Sequence, residues 1–206
     1  PYTPLHHILL DLYRQHLCPH DLPALVMTSG NFSSEPIALG NREALERLNP
    51  LADRFLFHNR DILVRTDDSV LTVLPDTKQT LLVRRARGFT PSPIELDRSG
   101  PCVLGLGPEL KSTVCLTKNS QAFPSQHIGD LQNLETFEFF QETIRHLTAI
   151  LQAEPELLVT DLHPDFMSTR YAVDQDKLPV LGLQHHFAHV HAVLAENRHH
   201  GPALGL

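Results

Sequence analysis

Apolar positions recur along this chain at spacings that predict short strands alternating with helices. Leu22–Met27 (LPALVM) is an unbroken apolar run that ends in the turn-rich TSGNFSSEP, the pattern of a buried strand leading into a loop. Asn41–Leu48 (NREALERL) starts on a cap-type Asn and continues with helical apolar spacing. Strands are predicted at Arg54–His58, Ser69–Leu74 and Thr80–Arg84, so the first part of the chain is a mixed α/β unit. The stretch Thr90–Pro101 carries Pro91, Pro93 and Pro101 and shows neither period, which predicts a linker with a domain boundary near Ser99.

After the linker, VLGLG, TVCL and QAFPSQH are strand-like runs close enough together for an antiparallel meander. Thr136–Ala153 places Phe137, Phe140, Ile144, Leu147 and Leu151 at helical intervals, the stripe of an amphipathic helix. A strand at Leu157–Thr160, a helix around Ser168–Asp174, a strand at Val180–Leu183 and a histidine-rich helix complete the order βββαβαβα. That is the order of a ribonuclease-H-like half of an actin-type ATPase. The expected fold class is α/β, with units at 1–98 and 99–206. The chain opens inside what looks like a structured segment (HHILLDLY) and closes at HHGPALGL as another apolar strand begins. It is therefore expected to be an internal piece of a longer protein.

Composition narrows the partners. With 206 residues and 41% hydrophobic content a sizeable core is expected. No apolar run approaches the roughly 20 residues that span a bilayer, and PYTPLHHILLDLY lacks the basic start of a secretory signal, so no membrane and a cytoplasmic location are expected. The net charge of -7 argues against nucleic acid, whose nonspecific binding is built from clustered Lys and Arg. Arg84, Arg85 and Arg87 form a local basic knot better suited to a small phosphorylated ligand. Cys18, Cys102 and Cys115 are odd in number and far apart; they predict buried thiols rather than a disulfide framework or a zinc site.

Several segments carry candidate chemistry. TSGN (Thr28–Asn31) ends its run in hydroxyls and an amide that can face phosphate or carbonyl oxygens, yet the same residue types form ordinary turns. RTDDSVL and RRARG can add polar and cationic groups at the same end, or form a solvated edge. In GLGPELKST, two glycines, Lys111, Ser112 and Thr113 suit a phosphate-holding hairpin, or only a hairpin. DLHPDF follows a strand end, where Asp161 or Asp165 can face a ligand crevice, while Asp165 can equally cap the next helix. In QHHFAHVHAVLAEN, His185 and His189 are one helical turn apart, about 40° in projection and about 6 Å along the axis, so two imidazoles can reach one metal. A third ligand has to come from another segment. His186 and His191 point elsewhere, and His191, His199 and His200 are expected to be solvated.

Taken in order, PYTPLHHILL, VMTSGNFSSEPIA, DDSV, RRARGFTPSPI, LGPELKSTVCL, SQHIGDLQN, DLHPDFMSTRYA and LQHHFAHVHAVLAE resemble the hydrogenase-maturation carbamoyltransferases of the HypF family over nearly the whole chain. The first part resembles the second half of a YrdC-like domain. The part after the linker resembles the opening of the domain shared with the tRNA threonylcarbamoyltransferase TsaD. The resemblance implies that carbamoyl phosphate is hydrolysed in an acylphosphatase domain and that the carbamate is adenylated with ATP in the YrdC-like domain. The TsaD-like domain would pass the carbamoyl group to the C-terminal cysteine of HypE, for the cyanide ligand of NiFe hydrogenase.

By the same resemblance Thr28, Ser29, Asn31, Ser69 and Arg85 would line the adenylation site. Lys111 would act as the catalytic cation of a phosphate hairpin with Ser112 and Thr113, and His185 and His189 would bind a divalent metal, with Mg, Zn and Fe all open. The acylphosphatase segment, a CxxC zinc-finger segment, the first half of the YrdC-like domain and the later acidic metal ligand have no counterpart in these residues. This chain by itself is therefore expected to be inactive. Alternatives are an O-carbamoyltransferase of the same build acting on a small-molecule hydroxyl, a nucleic-acid-binding YrdC-like module, and an inactive docking surface.

Overall fold

A computed structural model describes residues 3–17, 20 and 22–205. The element order is α1 (Pro4–His16), α2 (Asn41–Leu48), β1 (Val70–Val73), β2 (Thr80–Arg84), β3 (Ile94–Glu95), β4 (Val103–Gly105), β5 (Cys115–Lys118), β6 (Gln121–Pro124), α3 (Leu134–Leu151), β7 (Leu157–Asp161), α4 (Met167–Asp174), β8 (Val180–Leu183) and α5 (His185–Glu196). α1 and α3 start where the sequence supplies a cap. The Thr3 hydroxyl accepts the His6 N–H ahead of Pro4, and Asn133 Oδ1 accepts the Thr136 N–H at 2.7 Å. In α2 the Glu43 carboxylate reaches back to the Leu39 N–H at 2.8 Å and the Gly40 N–H at 3.4 Å.

Two sheets result. β1 and β2 form an antiparallel pair, and a six-stranded sheet runs β3-β6-β5-β4-β7-β8. Within it β3, β6, β5 and β4 pair antiparallel, whereas β4, β7 and β8 are parallel, with α3 and α4 as crossovers. This is the mixed sheet that the ribonuclease-H-like order predicts. Nearly all of the core belongs to it: Leu104, Leu106, Val114, Leu116 and Leu158 from the sheet meet Phe140, Ile144 and Leu147 of α3. Tyr171 of α4 lies edge-on to Phe140 at 5.4 Å between ring centroids.

Three expectations are corrected. Leu22–Met27 and Arg54–His58 form no strand, because a strand needs a hydrogen-bonded neighbour and neither segment has one among the described residues; Val26 remains 98% exposed. The proline-rich stretch is not free linker throughout, since β3 pairs Ile94 with Ala122 and extends the large sheet by one edge strand. Thiol burial is uneven: Cys102 and Cys115 are free residues of intermediate exposure, and the Cys115 sulfur is enclosed, which pushes its thiol up to about 11. Cys18 lies outside the described residues. No helix among the described residues is long and apolar enough to cross a membrane.

The two halves are stitched together by hydrogen bonds and ion pairs from side chains and backbone. Gln126, in the loop after β6, donates to the Arg65 carbonyl at 2.5 Å, and the His127 N–H donates to the Arg85 carbonyl at 3.0 Å. Arg65 itself contacts Glu142 of α3 at 3.3 Å while also pairing with Glu43 of α2 at 3.0 Å.

Candidate functional site

The seam between the halves opens into a cleft of about 490 Å³. One wall is the TSGN loop. Asn31 shapes that loop by donating Nδ2 to the Phe32 carbonyl at 2.8 Å and the Glu35 carbonyl at 3.0 Å, while the Ala38 N–H closes it onto the Gly30 carbonyl at 2.9 Å. These bonds leave Asn31 Oδ1 enclosed without a hydrogen-bond partner among the described residues, on a residue that lines the cleft. The opposite wall comes from the second half, where Lys111, His127 and Asp130 line the same space as Ser29.

Three cations, Arg65, Arg84 and Lys111, share this cleft with the carboxylates of Glu35, Asp67 and Asp130. Arg84 lines it and pairs with Asp67 at 2.9 Å, Arg65 is anchored by carboxylates from both halves, and the Lys111 ammonium makes no ion pair among the described residues. Burial, reinforced by the nearby Arg84 charge, holds His127 below the ordinary imidazole value, so the ring is neutral at pH 7. A neutral imidazole beside an uncommitted ammonium can take an anionic ligand and accept a proton.

A second cleft, of about 310 Å³, lies at the carboxyl ends of β4, β7 and β8, the edge where ligands gather in sheets of this kind. Asp161 ends β7 and His185 opens α5 immediately after β8. Their contact is close: His185 Nδ1 lies 2.7 Å from Asp161 Oδ2. Burial would raise the Asp161 carboxyl, but the His185 bond and the His163 N–H at 3.0 Å outweigh it and hold the group below its ordinary value. An ionised carboxylate only accepts, so Nδ1 of His185 carries the proton that faces it and Nε2 is turned to the other side of the ring. That Nε2 faces the Nε2 of His189 at 3.1 Å. Two imidazole nitrogens converging on one point, one of them oriented by a carboxylate behind it, suit a pair of metal ligands. Among the described residues no group of three or more His, Cys, Asp or Glu is arranged to hold a metal ion.

The glycine-rich hairpin after β4 separates the two clefts. Gly107 and Thr113 face the histidines, whereas Lys111 faces the TSGN loop. Gly107 has φ +67°, and a Cβ there would stand 2.3 Å from the Thr113 carbonyl oxygen, so the closure of the hairpin requires glycine. Lys111 also takes a left-handed φ of +51°, fixed by its N–H donating to Asp130 at 2.8 Å. Ser112, which follows Lys111, is fully buried; its backbone bonds Gly129 and Ile128, and its hydroxyl has no partner among the described residues.

Not every residue singled out in the sequence lies at a cleft. Ser29, Asn31 and Lys111 come together at the first, and Thr113, His185 and His189 at the second. Thr28 is exposed on the loop and lines neither. Ser69 accepts the Ala86 N–H and donates to the Arg87 carbonyl, both at 2.9 Å, which commits its hydroxyl to joining β1 with the chain after β2. Arg85 turns away to the Ser92 carbonyl at 2.7 Å, and it is the neighbouring Arg84 that lines the first cleft. Asp165 does not cap α4: it pairs with Arg170 at 3.0 Å, and Glu109 from the hairpin accepts the Met167 N–H at 2.7 Å. His127, Asp130 and Glu109 carried no spacing signal of their own. The first two lie in SQHIGDLQN, a segment notable beforehand only for its resemblance.

The chain is similar to known proteins over its whole length. Residues 98–196 match the family model of the HypF Kae1-like domain, and residues 1–86 match the Sua5, YciO and YrdC model described as "Telomere recombination". The chain is 47% identical over 205 residues to carbamoyltransferase HypF of Rhizobium leguminosarum bv. viciae, covering all of this chain and 26% of that protein. It is 34% identical over 209 residues to the probable carbamoyltransferase HypF of Methanocaldococcus jannaschii, again over 26% of its length. A crystal structure of full-length HypF in the phosphate- and nucleotide-bound form superposes with a TM-score of 0.83 at 41% identity, over 96% of this chain and 30% of that one. The chain thus spans about a quarter of the length of the curated relatives it matches.

Proposed function

This chain belongs to the HypF family of carbamoyltransferases, and from that premise we propose that its two clefts serve successive steps of carbamoyl transfer in the full-length protein. The observation that carries the proposal is the hairpin shared between them, with Lys111 on the cleft beside Ser29 and Asn31 and Thr113 on the cleft beside His185 and His189. Both clefts are thus lined by residues of one hairpin.

In the first cleft, carbamate released from carbamoyl phosphate attacks the α-phosphorus of ATP. The P–O bond to pyrophosphate breaks, and carbamoyl adenylate forms. Lys111 and Arg84 offset the phosphate charge, while Ser29 and Asn31 bind oxygens of the ligand. Thr28, Ser69 and Arg85 support the site as loop and strand-end residues. Adenylation turns a poor leaving group into a good one.

In the second cleft the acceptor is the C-terminal cysteine thiolate of HypE, whose product serves cyanide-ligand synthesis for NiFe hydrogenase. Its sulfur attacks the carbamoyl carbon, the C–O bond to AMP breaks, and an S-carbamoyl cysteine and AMP leave. Thr113 and the backbone beside fully buried Ser112 position the adenylate. His185 and His189 would hold a divalent metal, oriented by Asp161 and completed by donors beyond these residues. When bound, such an ion supplies Lewis-acid stabilisation of charge on the adenylate phosphate. The setting is the cytoplasm.

The test uses the full-length protein. With ATP and carbamoyl phosphate it should release AMP and pyrophosphate. Replacing both histidines (His185→Ala with His189→Ala) should stop carbamoylation of the HypE cysteine while sparing pyrophosphate release. Normal carbamoylation by the double variant would remove the metal assignment, and absence of pyrophosphate release from the unaltered protein would remove the adenylation step.

A further inference from the structure

Ser34 stands in the loop that carries Ser29 and Asn31, and its backbone is left-handed at φ +64°. A residue with a Cβ keeps that conformation only where its surroundings enforce it. Part of the enforcement comes from the other half of the chain. Asn133 Nδ2 donates to the Ser34 carbonyl at 2.9 Å, and the Thr136 hydroxyl donates to the same oxygen at 3.4 Å. Asn133 is also the N-cap of α3 through its Oδ1. One amide therefore closes the helix with its oxygen and holds the loop with its nitrogen.

Resting on the adenylation reading above, we propose that Asn133 is a positioning residue for the interdomain cleft, setting the loop that presents Ser29 and Asn31 according to where α3 begins. Besides its internal bonds, this loop is tied by Arg47 to Glu35 and the Pro36 carbonyl and by Arg65 to the Ile37 carbonyl. They hold its far end and come from the first half. Losing the Asn133 donor thus leaves the loop attached but holds the Ser34 carbonyl by the longer Thr136 bond alone, next to the residues that meet the ligand. The cost falls on ligand binding more than on folding.

Asn133→Ser separates the two roles, because serine caps a helix about as well as asparagine but lacks the amide donor. Asn133→Asp also keeps the cap and turns a carboxylate toward the Ser34 carbonyl. In the full-length protein, KM for ATP in carbamoyl-phosphate-dependent pyrophosphate release should rise roughly three- to tenfold in the Ser variant, the range for one lost hydrogen bond, and further in the Asp variant. The turnover number should change less than KM, and the melting midpoint should stay near that of the unaltered protein. Amide exchange over residues 30–36 should accelerate in both variants. Unchanged exchange overturns the clamp even if the unaltered protein releases no pyrophosphate, an outcome that would remove the adenylation reading. Faster exchange with unchanged KM, or a fall in melting midpoint that tracks KM, overturns the positioning role.

Discussion

Asp161 Oδ2 lies 2.7 Å from His185 Nδ1, which ties the last residue of β7 to the first residue of α5 and leaves the distal nitrogen of His185 facing that of His189. The carboxylate selects the tautomer. Asp161→Asn keeps the shape but removes the charge, and an amide can present its N–H to Nδ1 and reverse the tautomer. Affinity of the full-length protein for a divalent metal should fall on the order of 10- to 100-fold, with carbamoyl transfer falling alongside and pyrophosphate release preserved. Metal titration of the variant checks this, and an undiminished affinity would show that Asp161 does not orient the pair.

Lys111 presents a different question, because its backbone belongs to the hairpin but its side chain lines the interdomain cleft. Lys111→Asn removes the charge while keeping a residue that tolerates the left-handed backbone. ATP affinity should drop roughly tenfold, as for one lost charge-assisted contact, and the deficit should narrow as salt is added. Calorimetric titration at two ionic strengths reads both effects. A variant that binds ATP normally but transfers slowly would place the ammonium with the histidine cleft instead.

Glu43 pairs with Arg47 within α2 and links that helix to Arg65. Burial would raise its carboxyl, but the Leu39 N–H and the two guanidinium partners outweigh this and hold it below its ordinary 4.5. A carboxyl lowered in the folded state contributes stability that is fully present above the unfolded value and is lost as pH falls through the folded one. Glu43→Gln should therefore lose about 1 kcal/mol at pH 7, a figure reduced for partial solvent screening. The gap to the unaltered protein should shrink as pH drops below 4.5. Urea melts at pH 7 and pH 3 give the comparison; equal gaps at both would mean that the ionised carboxylate is not the stabilising form.

Local signals determined much of this protein. α2, β2 and β8 fall where their patterns predict, because cap residues and apolar periods act within a few neighbours. α3 begins and ends two residues earlier than its stripe suggests, since Asn133 caps it and Gln152 turns left-handed at φ +46°. The histidine spacing likewise brought two Nε2 atoms together, as one helical turn must. The failures were equally physical. LPALVM and RFLFH have strand composition, but a strand exists only when another segment supplies its hydrogen bonds. Which arginine of RRARG faces a cleft depended on the partners of β2 and of the loop after it, so Arg84 lines the cleft and Arg85 does not. The meeting of Asp161 with His185, of Lys111 with Ser29 and Asn31, and of Asn133 with Ser34 joins residues up to 99 positions apart. No local period encodes such contacts. They arise only when the sheet closes and the two halves pack.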